Sequence, residues 1–246
     1  MRRFAAWTNL AETTFILKPV DASADYKLRI FTPRREMPFA GHPTLGSCSA
    51  WLHSGGIPRE AGVVRQECGV GIVEIDIGNP QLPAFTAPPT SIQAMHSDNF
   101  EAIVKVLEIP RAQIQHCAEL DNGPLWQVFQ LDSAAAVLAL DSSRVRWPEF
   151  KAIGFIGAHP PASECDYEVR MLAPSSGMSE DPITGSLNSA LAHWLQSGGR
   201  LAGAVTVAQG TCINRTGRVF IQSGSKPGQV KIGGQTHILI EGMVSL

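Results

Sequence analysis

The stretch EMPFAGHPTLGSCSAWLHSGG (36–56) is echoed later in the chain by EDPITGSLNSALAHWLQSGG (180–199). Both open with an acid, a proline and a small Gly/Thr turn, and both close on Trp-Leu-x-Ser-Gly-Gly. The echo extends in both directions. Upstream, YKLRIFTP (26–33) matches YEVRMLAP (167–174) at an offset of 141 residues. Trp51 matches Trp194, and Gly55 and Gly56 match Gly198 and Gly199, at an offset of 143, which places two inserted residues in the second turn. Downstream, Val64 and Gln66 match Val207 and Gln209. The repeated unit is a β-like run, a polar turn, a helix closed by Gly-Gly, and a second β-like run.

Periodicity assigns the parts. Tyr26, Leu28 and Ile30 alternate with Lys27 and Arg29, the pattern of a strand with one buried face. Leu45, Cys48, Trp51 and Leu52 share one helical face, as do Leu187, Leu191, Trp194 and Leu195. Pro43 suits a first helical turn, and the Gly pairs suit left-handed C-caps. Strand runs with turn glycines follow each helix, at 63–77 (Gly69, Gly71) and 205–221 (Gly210, Gly217). So long a period excludes a solenoid and predicts two pseudo-equivalent halves.

The chain has 246 residues, 44% hydrophobic and 17% charged, enough to build a sizeable core and unlike a disordered chain. A net charge of −2 with no long basic run gives no electrostatic footprint for nucleic acid or an anionic membrane. No apolar run approaches the ~20 residues that span a bilayer. Five scattered cysteines read as reduced thiols of a cytoplasmic protein. The proline-rich stretch NPQLPAFTAPP (79–89) reads as a break in the sheet. A helix is expected at 98–107 with Ser97 as its N-cap, and the second half then begins near Ile109.

A Gly/Thr turn at a helix start offers backbone N–H groups and the positive end of the helix dipole to an anion. Gly41-His42-Pro43-Thr44 and Thr184-Gly185-Ser186 are two such turns. Taken singly, each reads as an ordinary helix cap; two related turns raise the prospect of a shared anion site. GHPTLGS (41–47) approaches a phosphate-binding loop but lacks its lysine. Metal, nucleophile-elbow and dinucleotide signatures are absent: there is no C-x-x-C, H-E-x-x-H or G-x-S-x-G, and Gly69-Val70-Gly71 lacks a third glycine. Asp181 before the second helix, Glu12 in NLAETTF (9–15) and His42 are the acid-base candidates. Each alone would read as a capping or surface residue.

NLAETTFIL, RIFTPRREMPFAGHPTLG and EDPITGSLNSAL closely resemble the three signature blocks of the PhzF-like (phenazine-biosynthesis-like) isomerases, a family with the diaminopimelate epimerase fold. The resemblance runs from about Phe4 to the C-terminus. It implies an α+β fold of two pseudo-symmetric halves, each a curved, barrel-like sheet around a central helix. The N-terminal half would span residues 1–108, joined by a returning last strand at 237–246, and the C-terminal half 109–236. Family members usually begin about one hairpin and one helix earlier.

By motif, Glu12 matches the family's catalytic glutamate, His42 and Gly41 its first turn, and Asp181, Gly185 and Ser186 its second. The resemblance thus implies catalysis by Glu12, His42 and Asp181, with substrate held by Gly41, Gly185 and Ser186 between the halves. True epimerases among the relatives carry a cysteine in each turn. Here Cys48 lies one helical turn further on, so carboxylate and imidazole chemistry is expected rather than a thiol pair. Ala11 stands where members often have Ser, and Leu187-Asn188-Ser189 replaces a more usual Ala-His-Cys. The expected function is isomerisation of a small anionic, carboxylate-bearing metabolite with no cofactor or metal. The expected setting is a cytoplasmic homodimer free of nucleic acid and membrane. The competing expectation is a non-catalytic small-molecule binder derived from such an enzyme.

Overall fold

The computed structural model describes residues 1–174, 179–201, 203–224, 226 and 228–244. The chain forms two compact units, residues 1–86 with 233–246, and residues 87–232. Among the described residues no helix is long and apolar enough to cross a membrane.

The first unit contains α1 (Arg2–Thr8), β1 (Thr13–Leu17), β2 (Tyr26–Phe31), β3 (Glu36–Met37), α2 (Gly41–His53), β4 (Val63–Cys68), β5 (Gly71–Asp76) and β6 (Ala84–Thr86). Its strands lie in the order β1-β2-β4-β5-β6, with β3 folded back on β2. Tyr26, Leu28 and Ile30 are buried as their alternation requires. The sheet packs against α2, where Leu45 and Cys48 are buried and Trp51 lies 5.3 Å from Tyr26, ring centre to ring centre.

The second unit contains β7 (Ser91–Gln93), α3 (Ser97–Val106), β8 (Ile114–Asp121), β9 (Leu125–Leu131), α4 (Ala134–Leu138), β10 (Ile153–Ala158), β11 (Tyr167–Leu172), β12 (Glu180–Asp181), α5 (Gly185–Ser197), β13 (Val205–Gln209), β14 (Gly217–Ser223) and β15 (Val230–Gly233). The strand order is β15-β14-β13-β11-β10-β9-β8-β7, with β12 on β11. Leu187, Leu191, Trp194 and Leu195 are all buried on α5. On the other side of the unit, Phe100, Phe129 and Phe155 stack in series at 5.7 and 5.4 Å.

The duplication is real at the level of pairing. β2 runs parallel to β4 and antiparallel to β1 and β3; β11 runs parallel to β13 and antiparallel to β10 and β12. The order β1-β2-β4-β5-β6 therefore repeats as β10-β11-β13-β14-β15. The parallel registers differ: Tyr26 faces Gln66, whereas Tyr167 faces Val207. That slip is an even number of residues, so each strand keeps the same face toward its helix. β10 is additionally paired in parallel with β9, which forms a hairpin with β8; β1 has no such neighbour among the described residues.

Four expectations change. The first boundary lies at residue 86, not 108, because α3 buries Ile103 and Val104 in a core shared with Phe129, Phe155 and Leu172. The N-cap of α3 is His96, whose ring accepts from the Asp98 N–H at 3.4 Å, not Ser97. The proline-rich stretch does hold a strand: β6 fits between Pro83 and Pro88, pairs with β5, and buries Ala84 and Phe85. Prolines outside such a short strand cost it no ladder bond. The expected last strand is absent over the described residues 237–244. That segment belongs to the first unit, but side chains rather than a ladder hold it: Thr236 bonds Ser49, and His53 Nε2 lies 3.2 Å from Glu241.

Candidate active site

In the first unit, Glu12 immediately precedes β1, and the β1-β2 ladder fixes where that strand starts. Ser47 Oγ, in the second turn of α2, donates to Thr14 Oγ1 at 3.0 Å and ties β1 to the helix. The result is contact between the Glu12 carboxylate and the first turn of α2: Glu12 Oε2 lies 2.9 Å from His42 Nε2. Glu12 is 23% exposed and His42 48%, so the pair is open to a ligand on one side. No side chain caps α2, whose N-cap residue is Ala40. A carboxylate and an imidazole sharing one hydrogen bond can hold and pass a proton.

In the second unit, Asp181 sits in β12, held opposite Met171 by two-residue pairing with β11. The chain then turns through Pro182 and Ile183 into α5, which also starts without a side-chain cap at Thr184. Thr184 Oγ1 donates to Asp181 Oδ2 at 2.5 Å. Behind the turn, Gln209 is fully buried: its Nε2 donates to Thr184 Oγ1 at 3.0 Å and to the Asp181 carbonyl at 3.2 Å. Its Oε1 accepts from the Thr184 N–H at 3.2 Å and from Asn188 Nδ2 at 2.8 Å. Gly210 follows with φ +90°, and a Cβ there would lie 2.8 Å from the Pro182 carbonyl oxygen, so only glycine lets the strand end so close to the turn.

Of the expected site residues, the structure brings Glu12, Gly41 and His42 together in the first unit, and Asp181, Gly185 and Ser186 together in the second. Among the described residues no three His, Cys, Asp or Glu side chains converge as metal ligands. In the sequence, Gln209 stands out only as a repeat match to Gln66 and Thr184 only as part of a turn, and neither has a role in the site there. The available signal was the repeat itself, which sets Gln66 and Gln209 at equivalent positions.

The sequence profile of the phenazine biosynthesis-like protein family matches residues 1–242. The chain belongs to that family. Among the relatives of this chain, a Schizosaccharomyces pombe protein named antisense-enhancing sequence 1 is 34% identical over 98% of this chain and 87% of that one. The trans-2,3-dihydro-3-hydroxyanthranilate isomerase of Pseudomonas chlororaphis is 29% identical over 94% of this chain and 81% of that one. The solved structure of a Bacillus anthracis phenazine biosynthesis protein of the PhzF family shares the fold, with a TM-score of 0.77 at 19% identity, covering 96% of this chain and 85% of that one. The chain is an isomerase of the phenazine biosynthesis-like family, with the epimerase-like mixed α/β architecture that the family resemblance implies.

Within this phenazine biosynthesis-like framework, two substituted positions turn inward. Asn188 Nδ2 donates to the Thr184 carbonyl at 2.9 Å, and Ser189 Oγ to the Gly185 carbonyl at 2.8 Å, both fully buried. Cys48 is also fully buried, and desolvation pushes its thiol up to about 12, far from a reactive thiolate.

Proposed function

We propose that this isomerase shifts a proton on a small carboxylate-bearing metabolite, with Glu12 as the acid-base group and His42 as its partner. The observation that carries this reading is the 2.9 Å contact between Glu12 and His42, half open to solvent at an uncapped helix start. Glu12 as carboxylate removes a proton from one substrate carbon, the double bond migrates, and the resulting carboxylic acid returns the proton to another carbon. His42 orients the carboxylate and shares the transferred proton. Asp181, in the second unit, is read as a further proton-handling group. The first-turn N–H groups, at Gly41 in the first unit and at Gly185 and Ser186 in the second, are carboxylate-binding groups, as helix N-termini favour anions. No cofactor enters this scheme.

The Pseudomonas chlororaphis relative is named for trans-2,3-dihydro-3-hydroxyanthranilate, which makes that compound the first to assay. The purified chain is incubated in heavy water with it and with a panel of small unsaturated carboxylates, and products are followed by mass spectrometry. An isomer carrying solvent deuterium is the expected result. A carboxylate that binds saturably with neither conversion nor deuterium uptake would replace this reading with that of a binding protein.

A further inference from the structure

The two units solve one problem with the same residue. Gln66 and Gln209 occupy matching positions on β4 and β13, and both are fully buried. Each donates its amide N–H to a threonine hydroxyl at a helix start: Gln66 Nε2 to Thr44 Oγ1 at 3.1 Å, and Gln209 Nε2 to Thr184 Oγ1 at 3.0 Å. The amide oxygens differ in what they serve. Gln66 Oε1 accepts from the Tyr26 hydroxyl at 2.9 Å, a purely internal bond. Gln209 Oε1 instead accepts from the Thr184 backbone and Asn188, both in the turn that carries Asp181. A hydroxyl that accepts from a fixed amide has its own proton aimed elsewhere. At Thr184 that proton points to Asp181 Oδ2.

We propose that Gln209 is a positioning residue: it orients the Thr184 hydroxyl and thereby sets the direction and proton affinity of the Asp181 carboxylate. This rests on the reading of Asp181 as a proton-handling group. The directional argument is chemical. With both amide N–H bonds spent on Thr184 Oγ1 and the Asp181 carbonyl, and its oxygen filled by two donors, Gln209 has no freedom to rotate. Thr184 cannot then turn its proton toward Gln209 Nε2 without leaving that buried N–H unsatisfied, which is costly, and Asp181 Oδ2 is the acceptor its hydroxyl meets. A donor held on a carboxylate favours its charged form. On the paired strands β11 and β12, Arg170 and Glu180 are bound to each other at 2.7 Å.

The test follows the Asp181 carboxylate carbon by NMR through a pH titration of the full chain. Thr184→Val removes the direct donor and is expected to raise the midpoint by about half a pH unit or more. Gln209→Met, which keeps the volume but none of the bonds, is expected to raise it by less. Combining the two should add nothing beyond Thr184→Val, because the effect of Gln209 passes through Thr184. Thr184→Ser keeps the hydroxyl and should keep the wild-type midpoint. If Gln209→Met fails to fold, Asn188→Ala loosens the same amide and carries the same expectation of an upward shift. A midpoint unmoved by Gln209→Met, or moved equally in the Thr184→Val background, overturns the proposal whatever the enzyme's rate. A shifted midpoint with unchanged isomerisation supports the role of Gln209 and instead removes Asp181 from the reaction.

Discussion

At the scale of single residues, a carboxylate in this chain behaves as its nearest donors dictate. Glu67 accepts from Lys27 Nζ at 2.7 Å and from the backbone N–H groups of Val20 and Asp21 at 2.6 and 3.0 Å. Lys27 first, and those two N–H groups after it, hold its carboxyl down to about 2. A depressed folded-state value stabilises the fold above the unfolded carboxylate range, and that contribution disappears as pH falls through about 2. Urea unfolding of wild type and Glu67→Gln should therefore differ most at neutral pH and converge across that acid window. A stability gap that stays constant from neutral to strong acid would show that Glu67 acts through packing alone. Single residues were also where the sequence said least about the site. Glu12 stands out only by its resemblance to a family block, because nothing in NLAETTF reveals that β1 will set it against His42. The contacts of Gln209 depend on strand register, which periodicity does not determine.

At the scale of elements, the repeat was legible because strand and helix periodicities, glycine caps and tryptophans recurred in one order. It also duplicated an Arg–Glu bridge between paired strands and gave the two copies opposite surroundings. Arg29 binds Glu36 through two bonds of 2.7 Å near the surface. Arg170 binds Glu180 through bonds of 3.0 and 2.7 Å, both side chains buried, and also donates to the Val137 and Leu140 carbonyls at 3.1 and 2.6 Å. Removing one partner of a buried pair leaves an uncompensated charge. Glu180→Gln should thus cost about 3–5 kcal/mol in chemical unfolding. Glu36→Gln should change stability little, since solvent screens the exposed pair. Equal losses at the two sites would contradict this account of the environment. Leu191→Ala, in the fully buried stripe of α5, should cost roughly 2–5 kcal/mol by the same measurement. A loss well below that range would mean the stripe repacks around the cavity. The elements missed share a cause: β6 and residues 237–244 are decided by partners elsewhere in the chain. A three-residue strand between prolines can pair, while an apolar tail such as Ile238-Leu239-Ile240 forms no strand where no ladder receives it.

At the scale of the whole molecule, one ancestral-looking unit of strand, turn, helix and strand has been used twice with different polar equipment. The first copy carries an acid and an imidazole at its helix start; the second carries an aspartate, a threonine and a buried amide clamp. The position of α3 shows why the unit boundary escaped the sequence. Its apolar face, Ile103, Val104 and Leu107, would suit either half, and only the aromatic stack of the second unit decides the matter. The internal repeat thus explains the architecture, and its divergence gives the two helix starts different polar groups. The central claim is that Glu12 moves the substrate proton. Its most direct test is the rate of deuterium incorporation from heavy water into the isomerised product by Glu12→Gln against wild type, with folding checked by thermal unfolding. The account predicts a loss of roughly 100-fold or more in turnover with stability nearly unchanged, since the amide keeps the shape but cannot accept the proton. Wild-type turnover and deuterium uptake by a folded Glu12→Gln protein would contradict it.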